Sequence, residues 1–366
     1  LVLGALHVPE NLGGREGGFD LAGLLLSAGA LGLLVFGLIE GPDLGWWTPR
    51  AGFAIAGWTW PPTAPVSPVP VAIAAGLVLL AGFVGVQLWR MSSGRTVILD
   101  LRLFTEPTFR WGNVAAAMVA VGEFALVFVM PLFLIDVANL DVMGAGGVLA
   151  TMAIGAFVAG ASARHLAASF GPAKVVVIGL LLEVAGVAAT ALITSTATPP
   201  WLFALTMAVY GMGLGLAAAQ LTSTVMVAVP QAMSGAASAA QSTVRQVGSA
   251  LGSALAGTVL AIELGFRLPA RLAEIPGLPA DVPGLVVQPT IDTVGGLIPL
   301  LRSNVGYNTL GDWRLPVGDA LAMAFADATA SALWVATGFL VLGLVASLLV
   351  ARAGAEAHAA DRAANE

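Results

Sequence analysis

Long apolar runs dominate the pattern of hydrophobic and polar positions along this chain of 366 residues. A helix that crosses a membrane needs about 20 mostly apolar residues. Eight segments meet that requirement, and clusters of glycine, proline and charged residues separate them. The pattern therefore predicts eight transmembrane helices, at residues 21–39, 69–89, 113–135, 144–163, 175–194, 201–227, 236–263 and 320–350.

The composition supports an all-α polytopic membrane protein. Hydrophobic residues make up 58% of the chain and charged residues only 10%, whereas roughly a quarter of an ordinary soluble protein is charged. The chain has no cysteine, which excludes disulfides, thiolate metal sites and cysteine nucleophiles. The formal net charge of −6 is spread thinly and no basic tract is present, so a nucleic-acid partner is excluded.

The segments outside the apolar runs suggest how the chain is organised. Residues 264–319 hold seven prolines and several charges, and we expect a long extracytoplasmic loop there. The apolar stretch 285–301 within this segment contains Asp292 and two prolines, so it is assigned to the loop. The first residues, LVLGAL, lack the basic region and cleavage site of a signal peptide. We interpret them as the end of a preceding helix and expect a fragment of a longer protein.

The distribution of Lys and Arg predicts the orientation. Cytoplasmic loops of membrane proteins carry an excess of basic residues. Basic side chains are concentrated in the segments 9–20, 90–110, 164–174 and 351–366, whereas the short loops 136–143 and 195–200 contain none. We therefore expect a multi-pass protein of the cell membrane with a cytoplasmic C-terminus.

Sequence motifs of soluble enzymes are absent. The chain contains no GxxxxGK[ST], HExxH or GxSxG motif. Its three histidines, His7, His165 and His358, are too scattered along the chain to form a metal site. A membrane enzyme would need clustered interfacial acids or histidines, which the sequence does not show. We predict no enzymatic activity, no metal and no cofactor, and transport is the favoured class.

Three acidic residues interrupt the apolar segments. Glu123 lies ten residues into its predicted helix, or ~15 Å, and Glu183 lies eight residues into its own, or ~12 Å. Asp327 lies seven residues into the last segment. Ionisable groups inside a membrane are costly, and burial disfavours their charged form, so these residues are proton-coupling candidates. The alternative is a carboxyl that stays protonated or paired and only fixes helix packing.

Other residues of the apolar segments are candidates for substrate contacts or for packing. Gln220 and Arg245 are substrate-cavity candidates, although the Arg245 side chain could instead extend to the membrane interface. Small residues at four-residue spacing let helix backbones approach closely in lipid. On this ground we predict helix-packing roles for five glycines, which are Gly211, Gly213, Gly215, Gly248 and Gly252.

Several stretches resemble one family. GMGLG followed by VPQAMSGAASAAQSTVRQVGSALGSALAGTVL is similar to the 14-helix drug:proton antiporter branch of the major facilitator superfamily. Two stretches are similar to the ninth helix of that branch and its approach, LDLRLFTEPTFRWGN and FALVFVMPLFL. A third stretch resembles its seventh helix, REGGFDLAGLLLSAGALGLLVFGLIEGPDLGW. The resemblance covers nearly the whole chain and is most specific at RQVGSALG.

The resemblance implies an architecture and a function. Two six-helix bundles would be joined by two linker helices, and the N-terminal bundle would be missing from this fragment with eight complete transmembrane helices. The implied function is efflux of drug-like amphipathic compounds in exchange for protons by alternating access. The implied partners are a small-molecule substrate, protons, the lipid bilayer and the missing bundle, and the proton gradient supplies the energy. In this architecture, the end of a preceding helix and a cytoplasmic loop occupy residues 1–20, and the linker pair occupies residues 21–91. A cytoplasmic loop at 92–112 leads to the C-terminal bundle at 113–350, and a cytoplasmic tail follows at 351–366.

The resemblance also ranks the candidate residues. The first and fourth helices of each bundle line the central cavity in this superfamily, which favours Glu123 and Gln220. The third and sixth helices are peripheral, which disfavours Glu183 and Asp327. A degenerate copy of the family's charged gating loop is formed by Gly160, Arg164, Gly171 and Lys174, but the usual Asp before the Arg is missing. A metabolite exporter or symporter of the same fold, and a membrane scaffold or sensor, remain alternatives.

Overall fold

Ten α-helices and one β-hairpin make up most of the part of the chain that the structure, a computed structural model, describes: residues 20–55, 57–226, 229–303 and 308–365. The predicted end of a preceding helix at the N-terminus, including His7, lies outside these residues. In chain order the elements are α1 (Leu21–Leu44), β1 (Phe53–Ile55), β2 (Trp58–Trp60), α2 (Pro68–Ser92), α3 (Pro107–Leu132), α4 (Val142–Phe170), α5 (Pro172–Ile193), α6 (Pro200–Met226), α7 (Ser234–Ala273), α8 (Val282–Asp292), α9 (Leu297–Arg302) and α10 (Arg314–Asn365). Short 3₁₀ turns lie at Leu101–Thr105, Gln231–Met233 and Asn308–Trp313, and a π turn at Phe133–Val137 extends α3.

Eight of these helices are long and apolar enough to cross a membrane. They are α1 to α7 and α10, each of which coincides with or overlaps one of the spans found in the described residues. The prediction of an all-α polytopic membrane protein with eight complete transmembrane helices is therefore confirmed for this part of the chain.

Prolines and capping side chains begin these helices. Helices α2, α3, α5 and α6 each begin at a proline, whose missing N–H would have no partner in the first turn. The Asp141 side chain accepts from the Gly144 N–H at 2.9 Å and so caps α4. Gly171 ends α4 with a φ of 87°, a conformation that favours glycine. The prolines, glycines and polar residues that separate the apolar runs in the sequence thus begin and end the helices.

The spanning helices pack in three groups. Helices α1 and α2 form a pair; α3 packs against α7 and α10; and α6 packs against both α4 and α5. Helix α10 also contacts α5, which joins the second group to the third, and α1 contacts α7. The Trp46 Nε1–H, in the loop after α1, donates to Thr258 Oγ1 of α7 at 3.0 Å. The pair is therefore attached to the other helices through α7.

A buried polar network joins α1 to α2. The Asp20 carboxylate accepts from the Gly23 N–H at 2.9 Å and from the Gln87 amide at 2.7 Å, and Arg90 lies 3.4 Å away. Burial raises the pKa of Asp20, but these two hydrogen bonds and the Arg90 charge together lower that pKa below its ordinary value. The ionised form of Asp20 therefore holds the two helices together at neutral pH.

The prediction that residues 264–319 form a loop is wrong, because much of this segment is helical. Helix α7 continues to Ala273, and α8 and α9 occupy much of the segment. These short helices bury Val286, Ile298 and Leu301 against the remaining helices. Arg302 donates to the Val137 carbonyl at 2.8 Å, at the end of α3. The prolines did not prevent helix formation because burial of apolar side chains stabilises short helices that propensity alone would not.

Three other expected boundaries also need correction. The predicted tail 351–366 continues α10 as far as Asn365, and α3 begins at Pro107 rather than at residue 113. The predicted loop between α1 and α2 contains the antiparallel hairpin β1–β2, in which Phe53 pairs with Trp60. The hairpin brings two tryptophans into edge-to-face contact, with the Trp58 and Trp60 ring centroids 5.3 Å apart.

Candidate functional site

Four helices surround a small cavity that brings several polar side chains together in the interior of the helix assembly. Its volume is about 20 Å³. Glu123 of α3, Glu183 of α5, and Gln241 and Arg245 of α7 line it. The rest of the lining is contributed mainly by small and apolar residues of α3 and α6. Two carboxyls, an amide and a guanidinium thus share one confined space.

Glu123 and Arg245 form a loose ion pair in this cavity. Arg245 Nη2 lies 3.9 Å from Glu123 Oε2, and the side chains are 48% and 17% exposed, respectively. That separation is too long for a hydrogen bond. Glu123 Oε2 is buried without a hydrogen-bond partner among the described residues. The pair can therefore open with little loss of direct bonding, and Arg245 connects the cavity to its exposed side.

Glu183 is the most deeply buried acid of the cluster. Its relative exposure is 0%, and within the described part of the chain neither carboxyl oxygen has a hydrogen-bond partner. The Tyr210 hydroxyl and the Gln241 amide nitrogen are also buried and, among the same residues, unpartnered. Buried polar groups are normally satisfied, so this concentration of unpaired groups indicates a site rather than ordinary packing.

Glycines bring the helix backbones around the cavity close together. An added Cβ at Gly213 would lie 2.5 Å from the Gly179 carbonyl oxygen and from the Glu183 nitrogen. The other glycines for which we predicted packing roles also lie against neighbouring backbones. On α6, an added Cβ would lie 2.0 Å from the Met152 carbonyl oxygen at Gly211 and 2.2 Å from the Ala156 carbonyl oxygen at Gly215. On α7, an added Cβ would lie 2.7 Å from the Ala117 carbonyl oxygen at Gly248 and 2.3 Å from the Val121 carbonyl oxygen at Gly252.

Comparison with known proteins identifies the family. The sequence profile described as Major Facilitator Superfamily matches residues 22–253, more than half of the chain. The chain belongs to the Major Facilitator Superfamily. The predicted family is therefore confirmed at the level of the superfamily. Because its members are transporters, the prediction that the chain is not an enzyme is confirmed too.

Several relatives are resistance proteins of actinobacteria. The chain is 26% identical to the Multidrug resistance protein B homolog of Mycobacterium tuberculosis, over 59% of this chain and 36% of that protein. It is 30% identical to a Tetracycline resistance determinant of Streptomyces rimosus, over 49% of this chain and 50% of that protein. Identity to the Multidrug resistance protein Stp of M. tuberculosis is 25%, over 65% of this chain and 40% of that protein. The chain thus spans a third to a half of the length of these relatives.

A solved structure is also similar. It is the crystal structure of a bacterial homolog to the human lysosomal transporter Spinster, in an inward-facing and unoccupied conformation. The TM-score is 0.47 and the sequence identity 18%, over 91% of this chain and 68% of that one.

The structure changes the ranking of two candidate residues, Gln220 and Glu183. Gln220, a substrate-cavity candidate, is half-buried on α6 but is not part of the lining of the small cavity. The lining contains Gln241 instead, a residue that the sequence analysis did not single out. The signal for Gln241 was present, since it lies four residues before Arg245 and therefore on the same face of α7. Glu183, disfavoured as a residue of a peripheral helix, is instead buried in the same cavity as Glu123.

Asp327 lies within α10 and faces the C-terminal part of α7. It pairs with Arg271 at 2.9 Å, and Arg271 is two residues before the end of α7. Arg267 lies 3.8 Å from the same carboxyl. The Asp327 side chain is 36% exposed. The arginines lie in a part of α7 that was assigned to a loop, so this pairing was not predicted.

The predicted gating loop forms the turn between α4 and α5. Gly160 lies within α4 against Gly215, whereas Arg164 and Lys174 are exposed on either side of Gly171. No three His, Cys, Asp or Glu side chains approach one another as metal ligands in the residues described.

A larger cavity of about 620 Å³ lies between α1, α3, α7 and α8. Its walls are largely apolar and include Phe128, Leu260 and Leu264. Asp43 and Asp292 contribute carboxylates to the lining. Its volume falls in the range of small-molecule sites, about 300–1,000 Å³.

Proposed function

We propose that this chain is part of a proton-coupled efflux transporter that exports drug-like amphipathic compounds by alternating access. The observation that carries the proposal is the cluster of Glu123, Glu183 and Arg245 inside a transporter of this superfamily. Ionisable groups at membrane depth mark proton and substrate pathways. The relatives whose printed names refer to multidrug and tetracycline resistance support efflux as the direction.

Glu123 is the coupling residue in this proposal. When ionised, it is paired with Arg245 across 3.9 Å. A proton on Glu123 removes the charge that attracts the guanidinium, so the pair opens. Two states of one ion pair, controlled by one proton, provide the bistable element that alternating access requires.

The larger cavity supports the proposed substrate class. An apolar wall accepts a hydrophobic body. The carboxylates of Asp43 and Asp292 outnumber the one guanidinium of the lining, Arg50, and the resulting net negative charge attracts a cationic head group. Few polar groups line the cavity, so the expected selectivity is broad. Amphipathic cations are the substrates that this lining fits best.

The whole transporter, as we propose it, has 14 helices. In it, α1 and α2 form the linker pair between two six-helix bundles, and α3 to α7 with α10 form the C-terminal bundle. An N-terminal bundle would complete the substrate pathway, and the C-terminus would be cytoplasmic. The fraction of the relatives' length that this chain covers is consistent with that proposal.

The test compares variants of the complete gene in an efflux-deficient host. We expect protonophore-sensitive extrusion of a cationic dye by the wild type, and extrusion no higher than that of the empty vector for Glu123→Gln. Asp327→Asn is the matched control, because it also removes one carboxylate charge, but from a partly exposed side chain that does not line the small cavity. This control is expected to retain extrusion.

Each other outcome contradicts part of the proposal. Protonophore-sensitive extrusion that survives Glu123→Gln would move the coupling site elsewhere. Extrusion that is insensitive to the protonophore would contradict proton coupling. No extrusion of any dye by the wild type would reject drug efflux and favour a metabolite carrier of the same superfamily.

A further inference from the structure

Glu183 lies where an ionised carboxylate is strongly disfavoured relative to the neutral acid. The side chain is completely buried, and neither oxygen accepts a hydrogen bond from any residue that the structure describes. Moving an unpaired carboxylate into such an environment costs several kcal/mol, whereas the neutral acid is far less costly to bury. The geometry therefore favours the protonated form of this side chain.

The charge count of the cluster leads to the same result. The titratable groups that face the cavity or pack against it are Glu123 on α3, Glu183 on α5, Tyr210 on α6 and Arg245 on α7. A guanidinium group is a cation and a phenol group is uncharged in the pH range of the cell. With two carboxyls and one guanidinium, one proton makes the cluster neutral, whereas no proton or two protons leave a net charge in a poorly solvated site.

The position of Arg245 decides which acid holds that proton. Arg245 lies 3.9 Å from Glu123 and stabilises its carboxylate, and Glu183 has no comparable partner among the described residues. The proton is therefore on Glu183, and the negative charge is on Glu123. Gln241 lines the cavity beside both acids.

We propose that Glu183 stores one proton and delivers it to Glu123 through a single water molecule in the cavity between them. The volume of about 20 Å³ is enough for one water. In this step the Glu183 O–H bond breaks and an O–H bond forms on Glu123, so that the acid and the carboxylate exchange places. The number of protons is unchanged and no other reactant is needed. The delivery step rests on the proposed role of Glu123, whereas the stored proton does not.

The test observes the proton directly by infrared spectroscopy. The complete protein is purified in dodecyl maltoside, a detergent that has neither carboxylic acid nor ester groups. We expect a C=O stretching band of a protonated carboxylic acid near neutral pH, and a shift of this band in D₂O. The band is lost in Glu183→Gln, is retained at a shifted frequency in Glu183→Asp, and is unchanged in Asp327→Asn.

A second variant tests the charge count. Arg245→Gln removes the only cation of the cluster, so that neutrality then requires a proton on each acid. We expect the carboxylic acid band of this variant to be about twice as strong as that of the wild type, one proton per carboxyl. Circular dichroism confirms that each variant is folded before its spectrum is interpreted.

The results separate this inference from the proposed function. No such band in the wild type, or a band that persists unchanged in folded Glu183→Gln, overturns the stored proton whatever the transport assay shows. A band that behaves as expected in a protein that extrudes no dye leaves the stored proton in place and rejects the efflux function instead.

Discussion

The close approach of α7 to α3 makes Gly252 a sensitive position. An added Cβ at Gly252 would lie 2.3 Å from the Val121 carbonyl oxygen. Ordinary contacts begin at 3.4 Å, so the variant Gly252→Ala must move the two backbones apart by 1.1 Å (3.4 minus 2.3). Neither backbone atom can rotate away as a flexible side chain could. We expect overpacking of this kind to cost about 1–3 kcal/mol of unfolding free energy.

Gly257 provides the matched control on the same helix. An added Cβ at Gly257 would lie 3.5 Å from the nearest atom, Phe128 Cζ, which is an ordinary contact. Gly257→Ala therefore changes the intrinsic helix propensity, by about 1 kcal/mol, without a clash. The difference between the two variants isolates the steric term, and Gly252→Ala should be the less stable by about 1–3 kcal/mol.

The measurement is unfolding of the purified protein by SDS in mixed micelles, followed by helical circular dichroism. The free energy of unfolding is extrapolated to zero SDS for the wild type and both variants. A Gly252→Ala protein as stable as Gly257→Ala would mean that α3 and α7 do not approach closely at this position. The packing argument for the other four glycines would then also fail.

The contacts of α1 offer two further tests of stability. Asp20→Ala leaves the buried Gln87 amide without its acceptor, so we expect a loss of about 1–3 kcal/mol, measured by the same SDS unfolding. The pKa of Asp20 is lower in the folded protein than its ordinary value. The contribution of Asp20 to the free energy of unfolding is therefore complete above about pH 4 and is lost as the pH falls further. The variant should lack this acid-dependent loss of stability. Trp46→Phe removes the hydrogen bond to Thr258 and should cost about 0.5–1.5 kcal/mol. In a double-mutant cycle with Thr258→Val the losses should be less than additive, and fully additive losses would contradict the contact.

The spanning helices could be predicted from the sequence because apolar length alone determines them. A run of about 20 apolar residues has few alternatives to a membrane helix, since every backbone polar group must be satisfied inside lipid. No such rule applied to residues 264–319. Whether α8 forms there depends on the burial of Val286 and Ile298 against other helices, which a local pattern does not reveal.

The candidate site could be predicted only in part. Glu123 stands out in the sequence because a charge interrupts an apolar run, and the structure places it in the cavity. Gln241 does not stand out, because its surroundings are rich in Ser, Thr and Gln. The pairing of Asp327 could not be predicted, because its partner Arg271 is 56 residues away and lies in a segment that was assigned to a loop. Residues that act through partners on other helices require the helix arrangement, which the sequence pattern does not contain.

Helix packing and the chemistry of the cluster have a common origin in Gly213. Its lack of a side chain lets α5 approach α6 so closely that an added Cβ would lie 2.9 Å from Glu183 Cγ. The same approach excludes water from the Glu183 carboxyl, which is why that group cannot ionise cheaply. Arg245, at the other side of the cavity, is 48% exposed. The cluster therefore has a dry end at Glu183 and a wet end at Arg245, and on the proposed mechanism protons enter and leave through the wet end. Whatever covers Arg245 in one state of the transport cycle, whether substrate or the opposing bundle, then also controls when the stored proton can exchange with water.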